Sequence, residues 1–471
     1  MRKIYLQTKT SHQMIYDFED GHLTNIKYQK AEHLQVGDIV SGIIHQVDKR
    51  LKAAFVDIGQ SDLAYLAFEN VYNGQVHKGE RLILQVERLA TKTKKASLST
   101  MIQLKSDALV YLPLENSINI SNKLNTDEQE QLKEKLDHIV DHGGVVARTV
   151  AGQLDYNELK QQYNQLKSKW DTVSRHNQSK GVLLKEQNLF SQLLRSVSCS
   201  AVDELIVDDL DKVQIYKQSF DHLSHLIQYD RQFYSNKPIS ITELYELLAN
   251  RHVKLNNGAT ITIDQTEALT AIDVDFGSFK DETSKHPPYM DINVKAAKES
   301  AKQIRNRNIS GAIVIDFLNM KTKREQQMVM NVFREEAEND DAQVHVVGFT
   351  RLGMLEVTRK RINENIYQFL GVDERSLGIT DAFSYKELEE NLLVYEANPD
   401  VDCVLVEVQP HQIVNWKAMI ERIAHHHRFH FECYISQNGS LHTPYKLYKI
   451  GDVNWLLSRQ EEGQLNIDKV F

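Results

Sequence analysis

The chain has 471 residues, 41% hydrophobic and 26% charged, with a formal net charge of −9; this is ordinary globular composition at a length that calls for three or more folding units. No apolar run is long enough to span a membrane, and the N-terminus MRKIYLQTKTSHQMIYDFEDG has no signal core. Cys199, Cys403 and Cys433 are too far apart for a disulfide framework or a CxxC metal pair, so a cytoplasmic protein is expected. A pI near 6.1 argues against a general nucleic-acid coat, but it leaves room for a local basic groove beside an acidic, metal-attracting centre.

Ile4 and Leu6, then Met14, Tyr16 and Phe18, alternate with polar residues and predict a hairpin turning at Glu19-Asp20-Gly21. From Val36 to about Thr100 the pattern is strand after strand: Ile39 to Val47, Ala54 to Gly59, Leu63 to Leu66 and Leu82 to Val86. Short strands with such turns predict a small closed barrel. Residues 101–196 mix strands with helices, and Glu158 to Val173 has a helical pattern. Val202 to Val207 reads as a buried strand, and Ile241 to Leu248 as a short helix capped by Ser240 or Thr242.

The clearest rhythm runs from Ala259 to about Gln368. It predicts strand Ala268–Asp275, helix Asn293–Arg307, strand Gly311–Phe317, helix Lys323–Glu338, strand Val344–Phe349 and a third helix over Gly353–Phe369. That order predicts a layered α/β unit. The tail, Val372 to Phe471, holds Val404 to Val408, an amphipathic helix around Trp416 to Ile423, and Phe429 to Ile435. It reads as a small α/β or α+β unit.

Three features carry candidate chemistry. Asp273 and Asp275 are two apart in a strand, so they share a face, and Asp316 ends the apolar strand Ala312–Ile315. Sites of α/β units lie at the carboxyl ends of strands, and hard carboxylate oxygens suit Mg²⁺. Strand-end aspartates also cap helices and turns, and pattern alone leaves both readings open. Second, Phe55 and Tyr65 of the barrel, near Lys49, Arg50, Lys52, Lys92, Lys94 and Lys95, are suited to stacking bases in a basic groove; Phe55 is equally a core residue of an apolar strand. Third, Arg148-Thr149 follows Gly143-Gly144-Val145-Val146-Ala147, and a guanidinium beside a hydroxyl can hold a phosphate. Arg359-Lys360-Arg361 reads either as an RNA contact or as a solvated helix face. His425-His426-His427 reads as solvated histidines or a metal cluster. Thr322-Lys323-Arg324-Glu325 reads as a basic helix start. No P-loop, GxSxG or Cys/His nucleophile pair occurs.

Three blocks then resemble a known family. Gly258 to Asp273 (GATITIDQTEALTAID), Gly311 to Phe317 (GAIVIDF), and Thr350 to Glu356 (TRLGMLE) with Thr358-Arg359-Lys360-Arg361 resemble, in order and spacing, the signatures of the RNase E/G endoribonucleases. Leu51 to Gly59 resembles that family's S1-type OB domain. The resemblance runs from the N-terminus to about residue 370.

The resemblance implies a multidomain α/β protein with an inserted all-β OB barrel. Residues 1–34 and 196–256 would form an RNase H-like platform, 35–100 the RNA-binding OB domain and 101–195 a 5′-sensor region. Residues 257–371 would be a DNase I-like catalytic domain, and 372–471 a small C-terminal domain. It also implies a Mg²⁺-dependent hydrolase of single-stranded, AU-rich RNA, leaving 5′-phosphate and 3′-hydroxyl ends, in rRNA processing, mRNA decay or both. Metal-binding aspartates fall on Asp273 and Asp316. OB contacts fall on Phe55, Tyr65 and Lys94, and the sensor pair on Arg148 and Thr149. Arg351, Arg359 and Arg361 are expected RNA contacts.

Three departures qualify this. Asp275 stands where the family commonly has Asn and joins Asp273 and Asp316 as a catalytic candidate; its extra charge can tighten metal binding, admit a second ion or repel phosphate. Val357 to Leu377 contains no cysteine, so the family's zinc link is not expected and a homodimer would use another surface. The sensor's glycine-rich basic segment is reduced to Ile118-Asn119-Ile120-Ser121-Asn122-Lys123. The compact form, with no scaffold tail expected, resembles the ribonuclease G branch. A non-catalytic RNA-binding member is the alternative, and a phosphodiesterase on another substrate has only the acids in its favour.

Overall fold

The computed structural model describes residues 1–30, 34–60, 62–90, 94–106, 108–122, 124–175, 179–185, 189–278, 288–362, 364–373, 378–450, 453–462 and 466–471. Lys92 and Lys123 lie outside the described residues. The chain divides into two units, residues 1–31 with 196–471, and residues 32–195.

In the first unit the N-terminal hairpin forms at Asp20-Gly21, both at positive φ (49° and 79°), as a two-residue type I′ turn requires. Its strands His12–Glu19 and His22–Lys30 extend a five-stranded sheet in the order Ile227–Tyr229, Glu204–Val207, Arg2–Gln7, His12–Glu19, His22–Lys30. The strands after residue 196 join in parallel. Tyr5, Met14, Tyr16 and Phe18 pack on the helix Ile241–Ala249, which starts with a capping box between Ser240 and Glu243, and on Ile366, Phe369 and Phe383.

Buried charge ties this sheet to the helix Asp381–Glu396. The fully buried His12 places Nδ1 3.3 Å from Glu389 Oε2 and Nε2 3.1 Å from Glu390 Oε1. Lys237 Nζ reaches Glu390 Oε2 at 2.7 Å, and His427 Nε2 reaches Glu389 Oε1 at 3.0 Å. Burial pushes Glu390 up, but Lys237 and His12 outweigh it and hold it at about 2. Burial lowers His12, and the two glutamates more than reverse this. His427 is therefore neither a solvated residue nor part of a metal cluster. It is an internal partner of Glu389, while His425 and His426 are exposed.

A six-stranded sheet follows, in the order His252–Lys254, Thr260–Gln265, Leu269–Asp275, Gly311–Asp316, Leu355–Arg359, Val344–Phe349. The helices Pro288–Asn306 and Lys323–Ala337 bury Ile292, Ala297, Ile304, Val329 and Phe333 against one face of it, on Ile261, Ile263, Ile272, Ile313 and Ile315. Thr322 and Glu325 form a capping box, so the basic-looking start is a helix N-terminus. The helix expected over Gly353–Phe369 is instead the strand Leu355–Arg359 and the short helix Ile366–Leu370. Leu355, Val357 and Arg359 turn inward while Glu356 and Thr358 turn outward, and this two-residue period outweighs the helical reading.

The tail is a four-stranded mixed sheet, Tyr445–Ile450, Cys403–Val408, Glu432–Gln437, Ile467–Lys469. The helix Ile413–His426 lies between its parallel pair in sequence, and Trp416 is buried in its core.

In the second unit, Ile39–Asp48, Ala53–Asp57, Ala64–Ala67, Ser97–Ser99 and Arg81–Arg88 pair in turn, and the last pairs back with the first. This is a closed five-stranded, OB-like barrel. Gly42 lines it; a Cβ there would sit 2.6 Å from Val56 Cγ1. A separate sheet, Ile118–Ile120, Gly144–Ala147, Leu109–Leu112, Leu104–Lys105, packs with the helices Thr126–Ile139 and Tyr156–Arg175. Among the described residues no helix is long and apolar enough to cross a membrane.

The buried network makes stability depend on pH in both directions. Glu390 is lowered, so its contribution is present above the ordinary value of 4.5 and is lost as pH falls toward about 2. His12 is raised, so its contribution is present below 6.5 and is lost as pH rises through its folded value. His12→Gln is expected to lower urea stability by about 3–5 kcal/mol between pH 5 and 6, with the gap from the wild type closing at alkaline pH. A gap independent of pH would contradict the pairing.

Candidate active site

The three aspartates meet because of strand register. Leu269–Asp275 and Gly311–Asp316 are parallel neighbours, with Asp273 directly opposite Asp316. Ile272, Val274, Ile313 and Ile315 point into the helix-covered core, so Asp273, Asp275 and Asp316 all stand on the other, exposed face. After Asp275 the chain turns at Gly277, whose φ is 54°; a Cβ there would meet Gly258 O at 2.6 Å. Ser278 N donates to that oxygen at 2.8 Å, fixing the strand end.

Partial desolvation, then the charges of Asp275 and Asp316, push the Asp273 carboxyl above its ordinary value. Two opposed carboxylates with a third two residues along are oxygen donors for a hard divalent cation. Among the described residues no group of three or more His, Cys, Asp or Glu side chains is arranged to hold a metal ion. The opposed pair Asp273 and Asp316 is compatible with Mg²⁺, which takes one or two carboxylates and completes its shell with water and substrate phosphate.

The same register extends outward. Thr262 lies opposite Asp273, and His252 opposite Thr262, with His252 Nδ1 and Thr262 Oγ1 3.0 Å apart. Thr260 lies opposite Asp275, and Lys254 opposite Thr260. The sequence reading missed this pair of rows; the alternation in Arg251-His252-Val253-Lys254 is the signal that was available.

The expected RNA contacts divide. Arg351 is exposed in the turn after Val344–Phe349, and Arg361 is exposed with Nε donating to Ser310 Oγ at 3.1 Å. Arg359 does not face solvent. It is 4% exposed and donates through Nε and Nη2 to Asp340 at 2.7 and 2.9 Å, and through Nη1 to Asn308 Oδ1 at 2.5 Å. Strand alternation turns it to the helix side, so the expected RNA contact at Arg359 is corrected to a structural ion pair.

In the other unit Phe55 and Tyr65 are cross-strand partners, half-buried, with rings 6.2 Å apart and edge to face. Ala54, Val56, Ala64 and Leu66 fill the barrel interior instead, so the two rings stand on the outside. Lys49, Arg50, Lys52, Lys94 and Lys95 are exposed. Arg148 and Thr149 are exposed just after the strand Gly144–Ala147, and Thr149 Oγ1 lies 3.2 Å from Ser121 Oγ.

A carboxylate-bearing α/β sheet in a chain with an OB-like barrel is compatible with an enzyme that handles nucleic acid, but the fold alone does not assign it. The profile of the ribonuclease E/G family matches residues 103–362, more than half of the chain and including all three aspartates. Ribonuclease G of Escherichia coli K12 is 28% identical over 364 residues, 71% of this chain and 74% of that protein. Ribonuclease G of Haemophilus influenzae is 27% identical over 382 residues, 75% of this chain and 78% of that protein. Ribonuclease E of a Nostoc species is 28% identical over 388 residues, 76% of this chain and 56% of that protein. The chain belongs to the ribonuclease E/G family, a family of RNA-hydrolysing enzymes.

Two substitutions test the geometry without a substrate. Asp275→Asn removes a charge that raises Asp273; both carboxylates are exposed and screened, so in EDTA it is expected to stabilise the protein by no more than about 0.5 kcal/mol in urea unfolding; a loss of stability would contradict the repulsion. Arg359→Met strands the buried Asp340 carboxylate and is expected to cost about 3–5 kcal/mol; a change under 1 kcal/mol would return Arg359 to the surface.

Proposed function

We propose that this chain is a Mg²⁺-dependent endoribonuclease that hydrolyses phosphodiester bonds in single-stranded, AU-rich RNA in the cytoplasm, leaving 5′-phosphate and 3′-hydroxyl ends, in rRNA processing, mRNA decay or both. The observation that carries the reading is the pairing of Asp273 opposite Asp316 on an open sheet face. Asp273 and Asp316 would hold Mg²⁺, with Asp275 beside them. The bound ion supplies Lewis acidity to the phosphate and lowers the pKa of a water.

The chain's own residues bind and orient the strand. Phe55 and Tyr65 would stack bases, and Lys94 would add charge in the same unit. Arg351 lies in the turn at the acid-bearing end of the sheet and would contact phosphates, while Arg361, beside Ser310 at the opposite end of the strand Gly311–Asp316, would contact the RNA only farther from the acids. Arg148 and Thr149 would hold a 5′-monophosphate by paired donors. In this reading residues 1–34 with 196–256 are the RNase H-like platform and 257–371 the DNase I-like catalytic domain. Support for the first comes from the five-stranded sheet that strands from both segments build, and for the second from the six-stranded sheet with helices on one face. One observation favours a non-catalytic RNA-binding protein: Asp275 adds a third negative charge where a phosphate must approach.

The test is cleavage of a 5′-labelled AU-rich oligonucleotide, carrying a 5′-monophosphate or a 5′-hydroxyl, by the wild type and Asp316→Asn, in Mg²⁺ and in EDTA. Internal cuts in Mg²⁺ alone, lost in the variant, are expected. Undiminished cutting by the variant or in EDTA would overturn the metal site, and binding without cutting would support the RNA-binding reading.

A further inference from the structure

The open face of the six-stranded sheet changes sign across its width. Its central strands carry Asp273, Asp275 and Asp316, and its edge strand His252–Lys254 carries His252 and Lys254 on the same side. Val253 points the other way, packed against the helix-covered core. Thr260 and Thr262 lie between, in register with both neighbours. Asp264, the remaining acid of the intervening strand on this face, is paired with Arg251 at 2.8 Å. A mobile anion approaching the edge strand therefore meets Lys254 and the His252 ring with no uncompensated carboxylate on the strand between.

We propose that Lys254, assisted by His252, is a positioning subsite that holds a backbone phosphate flanking the scissile one. The subsite rests on the ribonuclease reading for the identity of its polyanion. Adjacent strands are about 4.8 Å apart, so the edge strand lies roughly 10 Å from the strand of Asp273 and Asp275. Among the described residues no ion pair joins Lys254 to Asp273 or Asp275. The separation of the two strands is within the span of one RNA strand whose scissile phosphate sits over Asp273 and Asp316. The threonine hydroxyls between can donate to the ribose–phosphate backbone or accept from it, as such contacts do in other complexes. The His252–Thr262 hydrogen bond fixes the ring's place on the row. A strand laid across the rows would thus meet Lys254 and the His252 ring at one end and the acid centre at the other, which sets its direction and register.

The experiment uses the full chain. Binding of a fluorescent AU-rich oligonucleotide is measured by anisotropy over a range of salt in Asp316→Asn, which blocks turnover, and in the same protein with Lys254→Met or Lys254→Arg. Each phosphate contact contributes about 0.7 to the salt slope on a single strand, so Lys254→Met is expected to flatten the slope by about that amount, equally for all sequences. Lys254→Arg is expected to restore it. A methylphosphonate placed in turn at each linkage is expected to weaken the parent at a linkage next to the scissile one and to add no further loss to Lys254→Met there. In the protein with Asp316 intact, Lys254→Met is expected to raise KM with kcat little changed.

An unchanged salt slope, or methylphosphonate losses that simply add to Lys254→Met at every linkage, would overturn the subsite while cleavage by the wild type left the ribonuclease reading standing. Wild-type protein that bound RNA with the predicted slopes but never cut it would remove the nuclease and keep Lys254 only as a backbone-phosphate contact. Failure to bind at all would remove both.

Discussion

The register between two parallel strands, which sets Asp273 opposite Asp316, is the constraint on which the site depends. Like charges held across a strand pair cost roughly 0.2–1 kcal/mol. Burying Ile272, Val274, Ile313 and Ile315 on the opposite face gains about 1.5–3 kcal/mol for each side chain. The core term wins by a wide margin, so the hydrophobic face dictates where the carboxylates stand. A slip of one residue would exchange the two faces, burying the acids and exposing the isoleucines. The fold can therefore hold an arrangement that its acidic side chains would not choose.

Elsewhere in the same unit, buried charge has partners. His12 and Lys237 answer Glu390, His12 and His427 answer Glu389, and Arg359 grips Asp340 with two nitrogens. These pairs act as internal ties; the His12 group connects the N-terminal sheet to the helix Asp381–Glu396. On the open face the charges acting most strongly on Asp273 are those of its acidic neighbours. That contrast, more than the presence of acids, is what the proposed cation and phosphate site rests on.

Much of this was legible in the sequence because local chemistry agreed with the fold. Glu19-Asp20-Gly21 announced the turn, Ser240 or Thr242 the helix start, and the apolar runs at Asp273 and Asp316 the central strands, with the structure choosing Ser240 as the cap. The alternation of Phe55 with Ala54 and Val56 was compatible with stacking or with core, and only barrel closure shows which side is inside. The strand Leu355–Arg359 was misread as helix because its five residues are too few to display a two-residue period against helical flanks. The error carried Arg359 to the wrong face. Long-range partners were beyond reach: nothing near His427 or Arg359 in sequence indicates Glu389 or Asp340. His252 and Lys254 gain their meaning only from a register four strands wide.

The central claim is that Asp273 and Asp316, brought together by that register, form a divalent-cation site. The most direct measurement is titration of the protein with Mn²⁺ as a substitute for Mg²⁺, with free ion followed by electron paramagnetic resonance, in the wild type, Asp273→Asn, Asp316→Asn and Phe55→Ala. A bound ion in the wild type and Phe55→Ala, competed by Mg²⁺ and lost in both aspartate variants, is the expected result. Binding that survives in Asp273→Asn and Asp316→Asn, or no binding in the wild type, would contradict it.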